Sequence, residues 1–580
     1  MWRSSLVPAR PALVRWAATD LPAIGACVAL VLCLFLWPLL LDVALLDPDE
    51  GLHASIAQEM LERGEWIAPT FLGQPFFDKP ILYFWAQIAA LATFGQSEAA
   101  VRLPSLLFGA LGVLATGLLA RDLFGGRTGL VAGVMQATML APLVQSQAGG
   151  HDVALVPCTT FALLCLRRAD AAVTRHADRA VESRRVARQL ALASLWLGLS
   201  ILTKGLAGVA LVLAPAIAIL AAERRLTIRR LACLAICGVA AVAIALPWYL
   251  AMEQAHPGYL RYYFVERHLL GFTVGSARHA GRPWWYYVPM LLAGGFPWAL
   301  YLPAAARGVW SRAFTSPAWA RPAARETTLG TVTSVWIWLA AGLLFLTIAR
   351  VKLWTYALPL FPAIAILAAH AWSRVIGEPR QDAPRSMAWA VTIHVLLGSL
   401  LMPVAWVYSR NHGLEASFAL GCGAAAIAAV YVWAQVTFVR RVPEYAWLLL
   451  VSAMVTTSVA TLALLMPAVG DSISSRDLAR YFNRAGTLPA RMVVLDDRIG
   501  SFVFYLVPRL RRGLTPARLA STSIYALRET IDGAPPDTIV AVRERRAALL
   551  EAAFAPCRPA YVDTGQFRLY RAGVLQECRR

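Results

Sequence analysis

The strongest constraint on this chain is a succession of apolar stretches, each about 20 residues long, the length of helix that crosses a bilayer. They fall at 23–46, 99–120, 128–148, 153–168, 188–203, 205–222, 230–251, 284–304, 329–349, 353–373, 387–408, 415–438 and 445–467. With 58% hydrophobic and 15% charged residues over 580 positions, the chain reads as an α-helical polytopic membrane protein, not a soluble enzyme. The expected count is about 13 transmembrane helices. The first stretch has no convincing small-residue cleavage site, so it is expected to be a first span, not a removed signal peptide. No internal repeat or low-complexity tract stands out.

Arginine placement orients the spans. With the N-terminus cytoplasmic, alternate loops collect the basic residues, among them Arg121 and Arg127, then Arg167 to Arg188, then Arg224 to Arg230. The same alternation recurs at Arg307 to Arg325, Arg374 to Arg385, and Arg440 and Arg441. This is the positive-inside pattern of a multi-pass inner-membrane protein. The net charge of +20 is thereby segregated by loop, and nucleic acid is not expected as a partner. An odd number of spans puts residues 468–580 on the outer, periplasmic side. The loops 47–98 and 252–283 lie there too, with His151-Asp152 at the outer end of two spans.

The first of those loops opens on Leu46-Asp47-Pro48-Asp49-Glu50. Carboxylates at a membrane boundary are costly and need a reason. Pro48 ends whatever helix precedes it. Glu50 to Arg63 follows with Leu52, Ile56, Met60 and Leu61 at helical spacing, an amphipathic pattern. Then Asp78-Lys79 sits inside an aromatic belt running from Phe76 to Trp85. A helix cap and a snorkelling lysine would account for these residues structurally.

Of 54 basic residues only three are lysine, Lys79, Lys204 and Lys352, and all three fall at the outer face. Arginine serves wherever a cation suffices, so the exceptions mark places that want a compact point charge. Such a charge suits a buried phosphate. Carboxylates beside them suit a hydroxyl to be deprotonated. Together they point to a lipid-phosphate-linked donor with its tail in the bilayer. A transporter of such a lipid is the non-enzyme alternative, but transporters carry their charges near the midplane and often show repeats.

The tail reads as a soluble α/β domain, with a helix over Ser475 to Phe482 and strands at Arg491 to Leu495 and Thr538 to Val542. Seven of the nine cysteines lie in apolar runs. Cys557 and Cys578 lie in the tail, where an oxidising compartment would allow them to pair.

Several of these motifs resemble the ArnT-type glycosyltransferases, within the GT-C, protein-mannosyltransferase-like superfamily. The motifs are Asp49-Glu50, Gly64-Glu65-Trp66, Phe77-Asp78-Lys79-Pro80, Val101-Arg102-Leu103-Pro104-Ser105, His151-Asp152, Thr203-Lys204-Gly205, Arg267-His268 and Lys352-Leu353-Trp354-Thr355-Tyr356. The sequence departs from the family at Asp49-Glu50-Gly51-Leu52-His53-Ala54, where Asp-Glu-Ala-Arg-Tyr-Ala is usual. The resemblance implies a transmembrane catalytic domain over 1–467 and a periplasmic α/β domain over 468–580. It implies inverting transfer of a sugar from a polyprenyl phosphate to a hydroxyl or phosphate of lipid A or another envelope glycolipid. A protein or other glycan acceptor is the alternative. Asp49 and Asp152 are then the catalytic carboxylates. Lys79, Lys352 and Arg267 are expected to hold the donor phosphate, and Glu50, Lys204, Tyr83 and His279 to contact substrate. No cofactor is required by such chemistry, although Asp78 and His268 match a metal pair, so a divalent ion such as zinc has candidate ligands.

Overall fold

A computed structural model describes residues 34–35, 37–175, 179–273, 281–307, 328–377, 383–411, 417–495 and 497–578. Every expected span after the first falls on helix, while most of the first, and His279, lie outside the described residues. Among the described residues eight helices are long and apolar enough to cross a membrane. Two further pairs pass the same test but are bent, Gly126–Thr138 with Leu140–Gln147 by 62° and Trp284–Gly294 with Trp298–Arg307 by 104°. The chain is a multi-pass membrane protein.

The helices that build the site are α1 (Asp49–Arg63), α2 (Leu82–Phe94), α3 (Glu98–Phe124), α4 (Leu155–Arg175), α5 (Arg179–Lys204), α6 (Ala207–Ala222), α7 (Ile228–Ala255) and α8 (Thr328–Ile348). Before α1 the apolar run does not stay helical to its end. Residues 42–46 are irregular, with Val43, Ala44 and Leu45 buried, because Arg102 draws on their backbone. Its guanidinium donates to the Val43 and Ala44 carbonyls at 2.7 and 3.1 Å. Pro48 occupies the cap position of α1, and Asp49 and Glu50 fill its first turn, where carboxylates complement the helix dipole. A small hairpin, β1 (Thr70–Phe71) and β2 (Gln74–Pro75), follows.

The tail begins where the last long helix ends at Ile473. It carries a mixed five-stranded sheet, β3 (Met492–Leu495), β4 (Leu519–Thr522), β5 (Ile539–Arg543), β6 (Tyr561–Asp563) and β7 (Phe567–Arg571), in the order β4-β3-β5-β7-β6. β3 is parallel to β4 and β5, and β7 is antiparallel to β5 and β6. Two apolar clusters pack around it. Cys557 and Cys578 form a disulfide, with Cα atoms 5.5 Å apart.

The tail docks directly on α1. Gly51 meets the helix Gly500–Tyr505 backbone to backbone. A Cβ on Gly51 would lie 2.3 Å from the Ser501 nitrogen, and one on Gly500 would lie 2.3 Å from the Leu52 nitrogen. The Ser55 hydroxyl donates to the Gly500 carbonyl at 2.8 Å. The amphipathic expectation for this helix is thereby revised. Glu50, His53, Ser55 and Gln58 are buried along with Ile56 and Met60, since the bundle covers one face and the tail another.

Candidate active site

Three acids in one short stretch meet three environments. Asp47 turns toward the tail. It accepts from Ser475 Oγ at 2.6 Å, from the Ser501 amide and hydroxyl at 2.8 and 2.7 Å, and from Arg543 at 3.2 Å. Glu50 turns toward the bundle. Its two oxygens take Arg102 Nε and Nη2 at 2.8 and 2.9 Å, and the amides of Leu46 and Gly149 at 2.8 and 2.9 Å. A buried carboxylate so fully engaged braces the loop. The expectation of substrate contact at Glu50 is therefore corrected. Asp49 alone is exposed and makes no hydrogen bond among the described residues.

Beside Asp49 lies a charged cluster. Lys204 ends α5 and donates to Asp152 at 2.6 Å, while Lys79 stands 3.8 Å from the same carboxylate. Thr355 also hydrogen-bonds Asp152, and Lys204 Nζ lies 3.8 Å above the Tyr356 ring. Burial by itself would raise the Asp152 carboxyl, but Lys204 and then Lys79 outweigh it and hold the group well below the usual carboxylate range. Burial likewise opposes the charge on Lys79, yet Asp152 leads the neighbours that raise its pKa above the ordinary lysine value. Asp49 acts on Lys79 in the same sense.

The loop after α7 adds a second pair. Residues Arg261–Leu270 form a π-helix, whose i to i+5 spacing sets Tyr262 and Arg267 on one face and is frequent at functional sites. Both reach Asp78, Tyr262 through its hydroxyl at 3.0 Å and Arg267 at 3.3 Å. The same spacing lets His268 Nδ1 donate to the Tyr263 carbonyl at 2.7 Å, with Nε2 3.4 Å from the Lys204 carbonyl. Asp78 and His268 thus each have protein partners. Among the described residues no group of three or more His, Cys, Asp or Glu side chains is placed to hold a metal ion, so Asp78 and His268 are the two candidate ligands the sequence offers.

Two other expected site residues sit elsewhere. Tyr83 is fully buried, its hydroxyl 2.5 Å from Ser105 Oγ and its ring 4.6 Å from that of His151. It is a packing residue, a correction that follows from the neighbouring helix burying this side of α2. Lys352 is buried and donates to the Ala349 carbonyl. Its motif reaches the cluster through Thr355 and Tyr356 instead.

Several contributors carry no role in the sequence reading. Arg102 could have been found as an arginine on the arginine-poor side of the bundle. His53 and His151 are buried with ring centroids 4.4 Å apart. His53 Nδ1 and both His151 nitrogens have no hydrogen-bond partner among the described residues. Burial, then the charge of Lys79, lowers His53 to about 4, so it is neutral at pH 7. Nothing in its spacing marked it.

Comparison with known proteins identifies the family. Residues 78–250 match the family described as dolichyl-phosphate-mannose-protein mannosyltransferase. An undecaprenyl phosphate-alpha-4-amino-4-deoxy-L-arabinose arabinosyl transferase of Aeromonas salmonicida is 30% identical over 408 residues, 68% of each chain. Its counterpart in Pseudomonas savastanoi is 33% identical over 365 residues, 62% of this chain and 63% of that one. The chain thus spans less than two thirds of that relative, and 55% of the Pseudomonas aeruginosa one. The crystal structure of ArnT from Cupriavidus metallidurans bound to undecaprenyl phosphate shares the fold, with a TM-score of 0.71 at 23% identity over 96% of this chain and 98% of that one. The apo state of the same protein superposes equally well, also at a TM-score of 0.71. The chain belongs to the ArnT-type family of GT-C membrane glycosyltransferases.

Proposed function

We propose that this protein moves a sugar from a polyprenyl-phosphate donor to lipid A or another envelope glycolipid at the periplasmic face, with inversion. The relatives named above are arabinosyl transferases acting from undecaprenyl phosphate, which favours a pentose donor of that class. One observation carries the proposal. Two lysines share one carboxylate unequally, at 2.6 and 3.8 Å, beside a free exposed Asp49. Lys204 is the close partner that fixes Asp152. Lys79 is the loose one, and it is left to meet the donor phosphate. Arg267, exposed on the π-helix, is placed to add a second contact.

The reaction follows from that division. The acceptor oxygen forms a bond to the anomeric carbon as the bond from that carbon to the phosphate oxygen breaks. The proton of an acceptor hydroxyl passes to Asp49, and the polyprenyl phosphate leaves with the electron pair of the broken bond, its added negative charge met by Lys79. A single displacement inverts the anomeric centre. With a phosphate acceptor no proton need be taken, and Asp49 orients the acceptor. Lys352 has its charge directed at a backbone carbonyl, so it is assigned to the structure of its loop.

The orientation is part of the proposal. It rests on the arginine alternation, which puts Asp49, Lys79, Asp152 and the tail on the outer side. The test of function is purified protein with an undecaprenyl-phosphate sugar and lipid A, followed by mass spectrometry. A mass gain on lipid A that disappears in Asp49→Asn is expected. Turnover at the wild-type rate in a folded Asp49→Asn variant would overturn the assignment. Transfer to a peptide but not to lipid A would replace the acceptor.

A further inference from the structure

We propose that the arginine-rich end of the bundle binds an anionic glycerophospholipid, with an acyl segment in an internal cavity and its phosphate on Arg167. The cavity lies between α3, α4, α5, α6, α7 and α8 and measures about 170 Å³. Its walls are apolar, with Leu123, Leu163, Leu190, Ile219, Val335 and Trp338 among them. A cavity of similar size lined by aliphatic side chains stays dry and takes up a benzene-sized ligand, roughly six carbons. This one therefore suits part of a hydrocarbon chain.

Charge at the cavity's edge defines the headgroup. Arg230 is paired with Asp170 at 2.9 Å, and Arg225 bridges Asp170 and Glu223 at 2.6 and 3.0 Å. Glu223 also accepts from Ser334 Oγ at 2.7 Å. These four charges neutralise one another. Arg167 lines the same cavity, is half-buried, and has no hydrogen bond or ion pair among the described residues. An uncompensated guanidinium at an apolar mouth is unfavourable until an anion pairs with it. One phosphodiester supplies one negative charge, and guanidinium takes it through two parallel hydrogen bonds. An apolar chamber whose lining includes one guanidinium left unpaired among the described residues thus matches an anionic phospholipid.

The site is separate from the sugar-transfer cluster. Leu155, next to the Asp152 turn, and Arg167 are separated along α4 by about 18 Å at 1.5 Å per residue. The proposal therefore stands or falls independently of the reaction assigned above. Its role is to seat the ends of α4, α6, α7 and α8 in one leaflet.

The experiment uses the full chain, purified in detergent and depleted of lipid. Thermal stability is followed against added dioleoyl phosphatidylglycerol, dioleoylglycerol or inorganic phosphate. Phosphatidylglycerol should raise the midpoint, and Arg167→Gln should require about tenfold more lipid for the same rise. Dioleoylglycerol and phosphate alone should do neither. An Arg167→Gln response equal to wild type overturns the proposal, and so does a response to phosphate alone, which would make this a simple anion site. A second measurement needs no variant. A phosphatidylglycerol with a photoreactive acyl chain should label peptides containing Leu163 or Val335, and unlabelled lipid should compete. Labelling confined to the outer surface of the bundle overturns the proposal as well.

Discussion

Replacing Glu50 by glutamine separates two roles that a carboxylate next to a catalytic residue could have. Glu50 and Arg102 are about 5% and 7% exposed at the side chain, so the pair is shielded from water and salt. Glutamine removes the charge and leaves the buried guanidinium with two backbone carbonyls. Breaking a buried pair on one side costs on the order of 3–5 kcal/mol. The amide also presents NH₂ where the carboxylate accepted from both Leu46 and Gly149. One buried N–H then loses its acceptor, worth about 1–3 kcal/mol more. The two costs overlap, so a total of about 4 kcal/mol is expected. Replacing both partners, Glu50→Leu with Arg102→Met, removes the stranded charge, since an apolar pair can substitute for a buried ion pair. It still strands the two amides and the Val43 and Ala44 carbonyls, so it should recover only part of the loss. Denaturant unfolding of the full chain in mixed micelles measures all three variants. Donor KM on the folded fraction supplies the contrast. If Glu50→Gln unfolds within about 1 kcal/mol of wild type but raises donor KM, Glu50 contacts substrate and the bracing assignment is wrong.

Asp49→Asn should leave the unfolding midpoint unchanged and lower turnover by about 10² to 10⁴, measured by the mass-spectrometric assay. Lys79→Gln should raise donor KM more than it lowers kcat, because it removes a phosphate contact, while Lys204→Gln should also disorder Asp152 and lower both parameters. Asp152 has its folded pKa below the ordinary value, so its contribution to stability is present above about pH 4 and lost as pH falls further. The stability difference between wild type and Asp152→Asn should therefore be flat from pH 8 to 5 and shrink below pH 4, a profile read by thermal unfolding at each pH. Gly51→Ala should lower stability by about 1–3 kcal/mol through overpacking, since its methyl would meet the Ser501 backbone at 2.3 Å, and limited proteolysis should then release the tail.

How much could be read from the sequence depended on whether each signal was local. Long apolar runs gave the spans, because helix in a bilayer is decided segment by segment. The rarity of lysine singled out Lys79 and Lys204, which do converge on Asp152. The same argument overreached at Lys352, since residue type says where a cation sits but not whether a carbonyl has already taken it. Tyr83 misled for a similar reason. Its aromatic neighbours suit an interface, but the packing of Ser105 and His151 around it depends on three separate segments. In the tail, β3 and β5 stood out as continuous apolar runs, and buried strands show just that pattern. β6, whose residues are exposed, and β4 gave no such signal. The resemblance to a known family ordered these motifs, yet the partners of Asp47 lie more than 400 residues away, and no spacing predicts them.

The placement of Asp49 follows from what its neighbours do. Asp47 precedes the Pro48 cap while Asp49 and Glu50 open the helix, and the three side chains meet different surroundings. Asp47 is taken by Ser475, Ser501 and Arg543 of the tail, and Arg543 is itself fixed by Asp497 and the Ser474 carbonyl. Glu50 is taken by Arg102 of the bundle. With the acids on either side held by opposite halves of the protein, the start of α1 has little freedom to rotate. Asp49 is left projecting between them, unpaired, beside Lys79 and the Asp152–Lys204 pair. A carboxylate that must accept a proton gains nothing from a permanent hydrogen-bond donor, which would lower its basicity. Its orientation has to come from the backbone. The tail thus serves as part of the scaffold of the site, through Asp47 and the close Gly51–Gly500 contact.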